Sequence, residues 1–182
     1  MISPKWRLRA MSCRVRAAGI AVGISLLWAS LACASPDGLK VVGSGEMRWL
    51  MFNLYEATLY SQDGRYQPRR FPLALTLIYA RAISRQSLVE ATRDEWQRLA
   101  LATEQEQARW LLHLETIWPD VRPGDRLTLY VDEQGRSRFM LGANPLGEIA
   151  DPAFADAFLA IWLDRRSRDP ALGRRLRGEW KE

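Results

Sequence analysis

The order of elements in this chain predicts an α+β fold, an antiparallel β-sheet covered by a layer of helices. Three observations carry that reading. A proline-free stretch from Val41 to Ser61 is dense in aromatic, β-branched and long apolar residues, which favour extended backbone. Two helix starts with their own caps follow at Ser84 and Thr103. A strand–turn–strand pattern from Leu127 to Leu141 then leads into two Asp-Pro helix starts. Strands and helices in that order do not alternate as a parallel α/β sheet requires.

Taken singly, the elements have local causes. Val41 to Ser61 reads as a pair of strands, or one strand bent near Asn53. Met47, Trp49 and Met51 point one way and Arg48, Leu50, Phe52 and Leu54 the other. Ser61-Gln-Asp-Gly64 is turn chemistry. Leu73, Leu75, Leu77 and Tyr79 give the next strand an apolar face. Leu88, Thr92, Trp96 and Leu99 recur at helical spacing behind Ser84. Thr103 to Glu106 is a capping box that opens a helix with Trp110, Leu111, Leu114 and Ile117 inward; Pro119 ends it. Leu127, Leu129 and Val131 form one arm of a hairpin, Asp132 to Gly135 its turn and Arg136 to Leu141 its return. A short extended piece holds Leu146 and Ile149. Asp151-Pro152 starts a helix with Phe154, Phe158, Ile161 and Trp162 on its apolar side, and Asp169-Pro170 starts a last one ending in Arg174, Arg175 and Arg177.

Residues 1–34 read as an export signal. Lys5, Arg7, Arg9, Arg14 and Arg16 precede an uncharged run that closes on Ala32-Cys33-Ala34, with no acidic residue in the segment. Cleavage between Ala34 and Ser35 is expected, leaving one domain over residues 35–182 in the periplasm. Ser30, three places before Cys33, departs from a lipoprotein signal, and the small residues of the run argue against an uncleaved anchor. Removing the leader leaves 21 basic and 21 acidic residues, so the overall charge of +5 gives no nucleic-acid footprint. Cys13 and Cys33 leave with it, which excludes a disulfide, a thiol nucleophile or a thiolate metal site. No membrane span is expected after removal.

Most chemical signals reduce to structure. His113, the sole histidine, stands on a helix without a partner at ligand spacing and reads as a surface residue. Gly43-Ser-Gly45 precedes a strand rather than a helix, so a turn or close crossing explains it better than a phosphate site. No serine sits in a nucleophile elbow. Glu90, Asp94 and Glu95 alternate with Arg85, Arg93 and Arg98 and read as a solvated face. The tryptophans read as core, with one or two lining a cavity. Arg48 differs: flanked by Trp49, Leu50 and Phe52, its guanidinium needs an anion, a wet cavity, or a local acid such as Glu46 or Glu56. A bulge between Gly45 and Asn53 would undo the parity on which its inward direction rests.

The segments Gly43 to Arg48 and Leu54 to Tyr60 resemble the opening strands of the chalcone isomerase-like superfamily. Phe71 to Leu77 and Ile83-Ser84 resemble its next strand and helix start. Asp151-Pro-Ala-Phe-Ala-Asp-Ala-Phe-Leu-Ala-Ile-Trp-Leu-Asp164 resembles the family's exported bacterial branch, and is the most specific of these motifs. The resemblance covers about Leu39 to Leu176 and implies an open-faced β-sandwich with a ligand cleft between sheet and helices.

Catalysis is not implied. Chalcone isomerases pair an arginine with a threonine–tyrosine–water network, an asparagine and a late threonine or serine. By resemblance those roles fall on Arg48, Tyr55, Leu88, Glu95 and Ile161, and Arg48 alone has the expected type. Leu88 and Ile161 offer no hydroxyl to an oxyanion. The expectation is therefore a non-catalytic domain that holds a small apolar ligand with an acidic head, such as a fatty acid, with Arg48 near the head. Tyr55, Leu88, Glu95 and Ile161 complete the candidate site. No cofactor or metal is implied, and no protein partner is identified. The alternatives are an isomerase or lyase acting on an unsaturated carbonyl compound through Arg48 and Tyr55, and a module whose exposed aromatics contact another envelope protein.

Overall fold

A computed structural model describes residues 36–49 and 52–180. The expected export signal at 1–34 and the expected cleavage between Ala34 and Ser35 lie outside the described residues. After a short 3-10 turn the strands are β1 (Lys40–Trp49), β2 (Phe52–Ser61), β3 (Leu73–Tyr79), β4 (Arg126–Val131), β5 (Ser137–Leu141) and β6 (Asn144–Ile149). The helices are α1 (Arg85–Leu99), α2 (Glu104–Ile117), α3 (Pro152–Leu163) and α4 (Pro170–Leu176). All six strands pair in chain order, every neighbour antiparallel. Helices α1 and α2 leave and return between β3 and β4, which still pair directly, Leu75 opposite Leu129. The architecture is the α+β open-faced sheet expected.

The caps explain where the helices begin. Ser84 accepts from the Ser87 amide, and Thr103 with Glu106 completes the capping box. Asp151 and Asp169 cap helices that carry proline in the first turn. Pro145 sits in β6, where the sheet ends and a missing amide donor is tolerated.

The sheet has one covered face. Ala57, Leu59, Leu75, Leu77, Leu129 and Phe139 point into a core shared with the helices. Its centre is aromatic: Phe154, fully buried, stacks on Phe158 and meets Trp96, Trp110 and Phe139 edge-on. Trp96 and Trp110 spend their ring N–H groups on the Ala157 carbonyl and the Asp151 carboxylate. The other face carries a small cluster of Leu39, Tyr60, Ala74 and Tyr130, and a Thr76–Thr128 hydroxyl pair at 3.0 Å.

Gly43 and Gly45 let α4 lie directly on β1. A Cβ on Gly43 would run into the carbonyl oxygen of Arg175, and one on Gly45 would come within 2.9 Å of Leu172 Cδ1. The glycine pair thus marks a close backbone approach, by a helix rather than a strand.

Arg48 does not point inward. The β1–β2 register shifts after Met47: Met47 pairs with Tyr55 but Arg48 with Asn53, leaving Leu54 as an extra residue. Arg48 stands on the uncovered face with 68% of its side chain exposed, donating from Nη2 at 2.6 Å and Nε at 2.9 Å to Glu46. Phe52, of the same parity, is 53% exposed beneath the Arg81 guanidinium. A cation and an acid two residues apart on a solvated strand face satisfy each other, so nothing draws this guanidinium into the core.

Candidate functional site

Between the inner face of β1–β4 and helices α1, α3 and α4 lies a cavity of about 720 Å³. That falls within the roughly 300–1,000 Å³ of small-molecule sites. Its walls follow from spacing. On α1, Leu88, Thr92 and Glu95 recur at i, i+4 and i+7 and turn to the cavity, while Val89, Trp96 and Leu99 go to the core. On α3, Phe158, Ile161 and Trp162 share one side. The bulge in β2 brings Leu54 and Tyr55 to the wall together, beside Leu77 and Tyr79 from β3.

Four of the five residues singled out in sequence meet here: Tyr55, Leu88, Glu95 and Ile161. Arg48 does not line the cavity. Leu88 and Ile161 contribute apolar surface and no hydroxyl donor, so the oxyanion network of the isomerases is not rebuilt from these positions.

Glu95 departs from the solvated face expected of it. It is 8% exposed and accepts from Arg98 Nη2 and from Arg168 Nε, each at 2.6 Å. Burial pushes its pKa up, but the hydrogen bonds and charges of the two guanidiniums outweigh that and hold the carboxyl below its usual range. The bridge ties α1 to the α3–α4 connection at the cavity wall. Arg168 uses Nε there, and its Nη nitrogens make no hydrogen bond among the described residues.

The interior offers donors. Tyr55 and Tyr79 meet edge-on at 5.9 Å. The Trp162 ring nitrogen donates to the Tyr55 hydroxyl at 2.9 Å, leaving the Tyr55 proton free to donate in turn. Burial pushes the Tyr55 pKa up to about 12 and that of Tyr79 higher still, so both stay protonated at any physiological pH. Tyr79 and Trp118 line the same cavity, and Trp118 Nε1 is buried without a hydrogen-bond partner among the described residues. A buried unpaired donor costs about 1–3 kcal/mol, which a ligand oxygen would recover.

Sequence reading missed Tyr79 as a site residue, along with Trp118, Trp162 and Arg168. Tyr79 had a signal, since it shares parity with Leu75 and Leu77 and ends the strand with a hydroxyl. Arg168 had none; it stands in a loop and gains meaning from Glu95, 73 residues away. Among the described residues no group of three or more His, Cys, Asp or Glu could hold a metal ion, and no helix is long and apolar enough to cross a membrane. His113 is exposed on α2.

An inner sheet face and a helical layer enclosing an apolar, donor-lined cavity define a ligand-cleft protein of the open-faced sandwich class. The family model described as chalcone isomerase-like matches residues 32–178, and the chain belongs to that family. An uncharacterised protein of Haemophilus influenzae is 31% identical over 140 residues, which cover 77% of this chain and 68% of the relative. A fatty-acid binding protein of Arabidopsis thaliana has a similar crystal structure, with a TM-score of 0.64 and 11% identity over 80% of this chain and 90% of that one. At that identity the likeness is one of fold.

Proposed function

We propose that this protein holds a small apolar molecule carrying an oxygen acceptor, with a fatty acid the favoured class, in the cavity between sheet and helices. One observation carries the reading: a large apolar-walled cavity has the Tyr55 and Tyr79 hydroxyls and Trp118 in its lining, and the buried Trp118 Nε1 has no hydrogen-bond partner among the described residues. The fatty-acid binding function printed for the Arabidopsis protein of the same fold supports the ligand class. A charged head buried far from any cation would be costly, so a carboxylate belongs beside Arg168, whose Nη nitrogens bond to none of the described residues, with its chain among Leu54, Leu77, Leu88, Phe158 and Ile161. Arg168 thereby takes the part expected of Arg48. The leader sequence supports work in the periplasm.

An isomerase or lyase using Arg48 and Tyr55 together would need both on one substrate, and Arg48 stands on the opposite face of the sheet. Tyr55 alone retains a hydroxyl for such chemistry.

Titration with palmitate, followed by the fluorescence of Trp118 and Trp162, tests the binding. Saturable quenching is expected. Arg168→Ala should weaken binding about tenfold or more and Tyr79→Phe by about fivefold, while Arg48→Ala leaves it unchanged. Loss of binding in Arg48→Ala with none in Arg168→Ala would overturn the assignment.

A further inference from the structure

Helix α4 separates two environments. Leu172 and Leu176 are buried, and Leu172 forms part of the cavity wall. Arg174 and Arg175 are exposed on the same short helix. Beyond α4 the chain brings Trp180 against both guanidiniums, at 6.0 Å from Arg174 and 5.1 Å from Arg175. Trp96, Trp110, Trp118 and Trp162 are buried, whereas Trp180 is 49% exposed.

The charge around this indole is one-sided. Arg165, Arg174 and Arg175 form no ion pair among the described residues. Glu179, the nearby acid, is already committed to Arg177 through bonds of 2.9 and 2.7 Å. Those bonds lead the causes that hold its carboxyl below the usual range, and the charges of Arg165 and Arg174 add to them. Arg174 and Arg175 at the exposed indole, with Arg165 acting on the neighbouring Glu179, leave this end of the molecule with more cations than its one adjacent acid balances. An anionic surface with an apolar layer behind it compensates both features: guanidiniums meet phosphates and the indole lies at the headgroup level.

We propose that the α4 end of the molecule, through Arg165, Arg174, Arg175 and Trp180, docks reversibly on an anionic phospholipid bilayer. Nucleic acid fits less well, because the domain after its leader is formally neutral and the patch presents an apolar ring rather than an extended basic track. The docking is peripheral, since no described helix can span a bilayer. It sets the α4 wall of the cavity towards a reservoir of apolar molecules.

The test is co-sedimentation with vesicles of phosphatidylcholine mixed with phosphatidylglycerol, and with vesicles of phosphatidylcholine alone. Wild type and variants are purified as the producing cell leaves them, with the same N-terminus. Binding to the mixed vesicles is expected, falling as salt is raised, with little binding to the neutral ones. Arg174→Gln with Arg175→Gln should bind about thirtyfold more weakly at an unchanged melting temperature, taking about tenfold per 1.4 kcal/mol. Trp180→Ala should weaken binding as well. Equal binding to neutral vesicles, variants that bind like wild type, or capture of acidic protein or nucleic acid with the vesicles ignored would overturn the proposal. Palmitate binding should survive in these variants; in wild type, absent palmitate binding beside intact vesicle binding would count against the cavity reading and leave this one standing.

Discussion

Ile161→Trp is expected to abolish ligand binding, by about a hundredfold or more, while the protein stays folded. Ile161 is half-buried on the cavity side of α3, one turn from Phe158 and beside Trp162. The added indole has open volume to enter, so the overpacking penalty of a filled core is avoided. The same volume is then denied to an aliphatic chain, a steric exclusion rather than a lost contact. Circular dichroism and the melting temperature should match wild type closely, and palmitate should no longer quench Trp118 or Trp162. An Ile161→Trp protein that binds as wild type does would move the ligand elsewhere.

Gly43→Ala should cost about 3 kcal/mol, at the upper end of overpacking effects. Its new methyl group meets the Arg175 carbonyl oxygen, a backbone atom held within α4. The helix itself must therefore lift from β1, and with it Leu172 and Leu176 leave their buried positions. For a domain of this size a drop of about 10 °C in melting temperature follows. Ser44→Ala, between the two glycines and exposed, is the control and should stay within about 0.5 kcal/mol of wild type. Equal stability of the two variants would mean that α4 does not sit on this strand.

Most of the fold was legible because its signals are local. Ser84, Thr103, Asp151 and Asp169 each begin a helix where their side chains reach amides two or three residues on. Alternation along Leu73 to Tyr79 gave the covered face of β3 without reference to the rest of the chain. The site was legible in part. The family resemblance placed Leu88, Glu95 and Ile161 together, and helical spacing put Phe158 with Ile161, but the charged residues mislead for two different reasons. The apolar sequence around Arg48 suggests an inward direction, whereas Arg48 and Phe52 stand exposed. The acids and bases of its own helix make Glu95 look solvated, whereas it is buried between Arg98 and Arg168, the latter from a distant loop. Strand parity reports direction but not which face is covered, and pairings between distant loops leave no mark in spacing. The glycine pair is a third case, since residues 43 and 45 specify a close approach without naming what approaches.

The most direct measurement is mass spectrometry of an organic extract of the protein purified natively from the cell that makes it, beside the same extract from Ile161→Trp. Wild type is predicted to release an apolar, oxygen-bearing molecule in near-equimolar amount, and the variant to release none. If wild type carries no more than the variant, the cavity does not hold a ligand of this class.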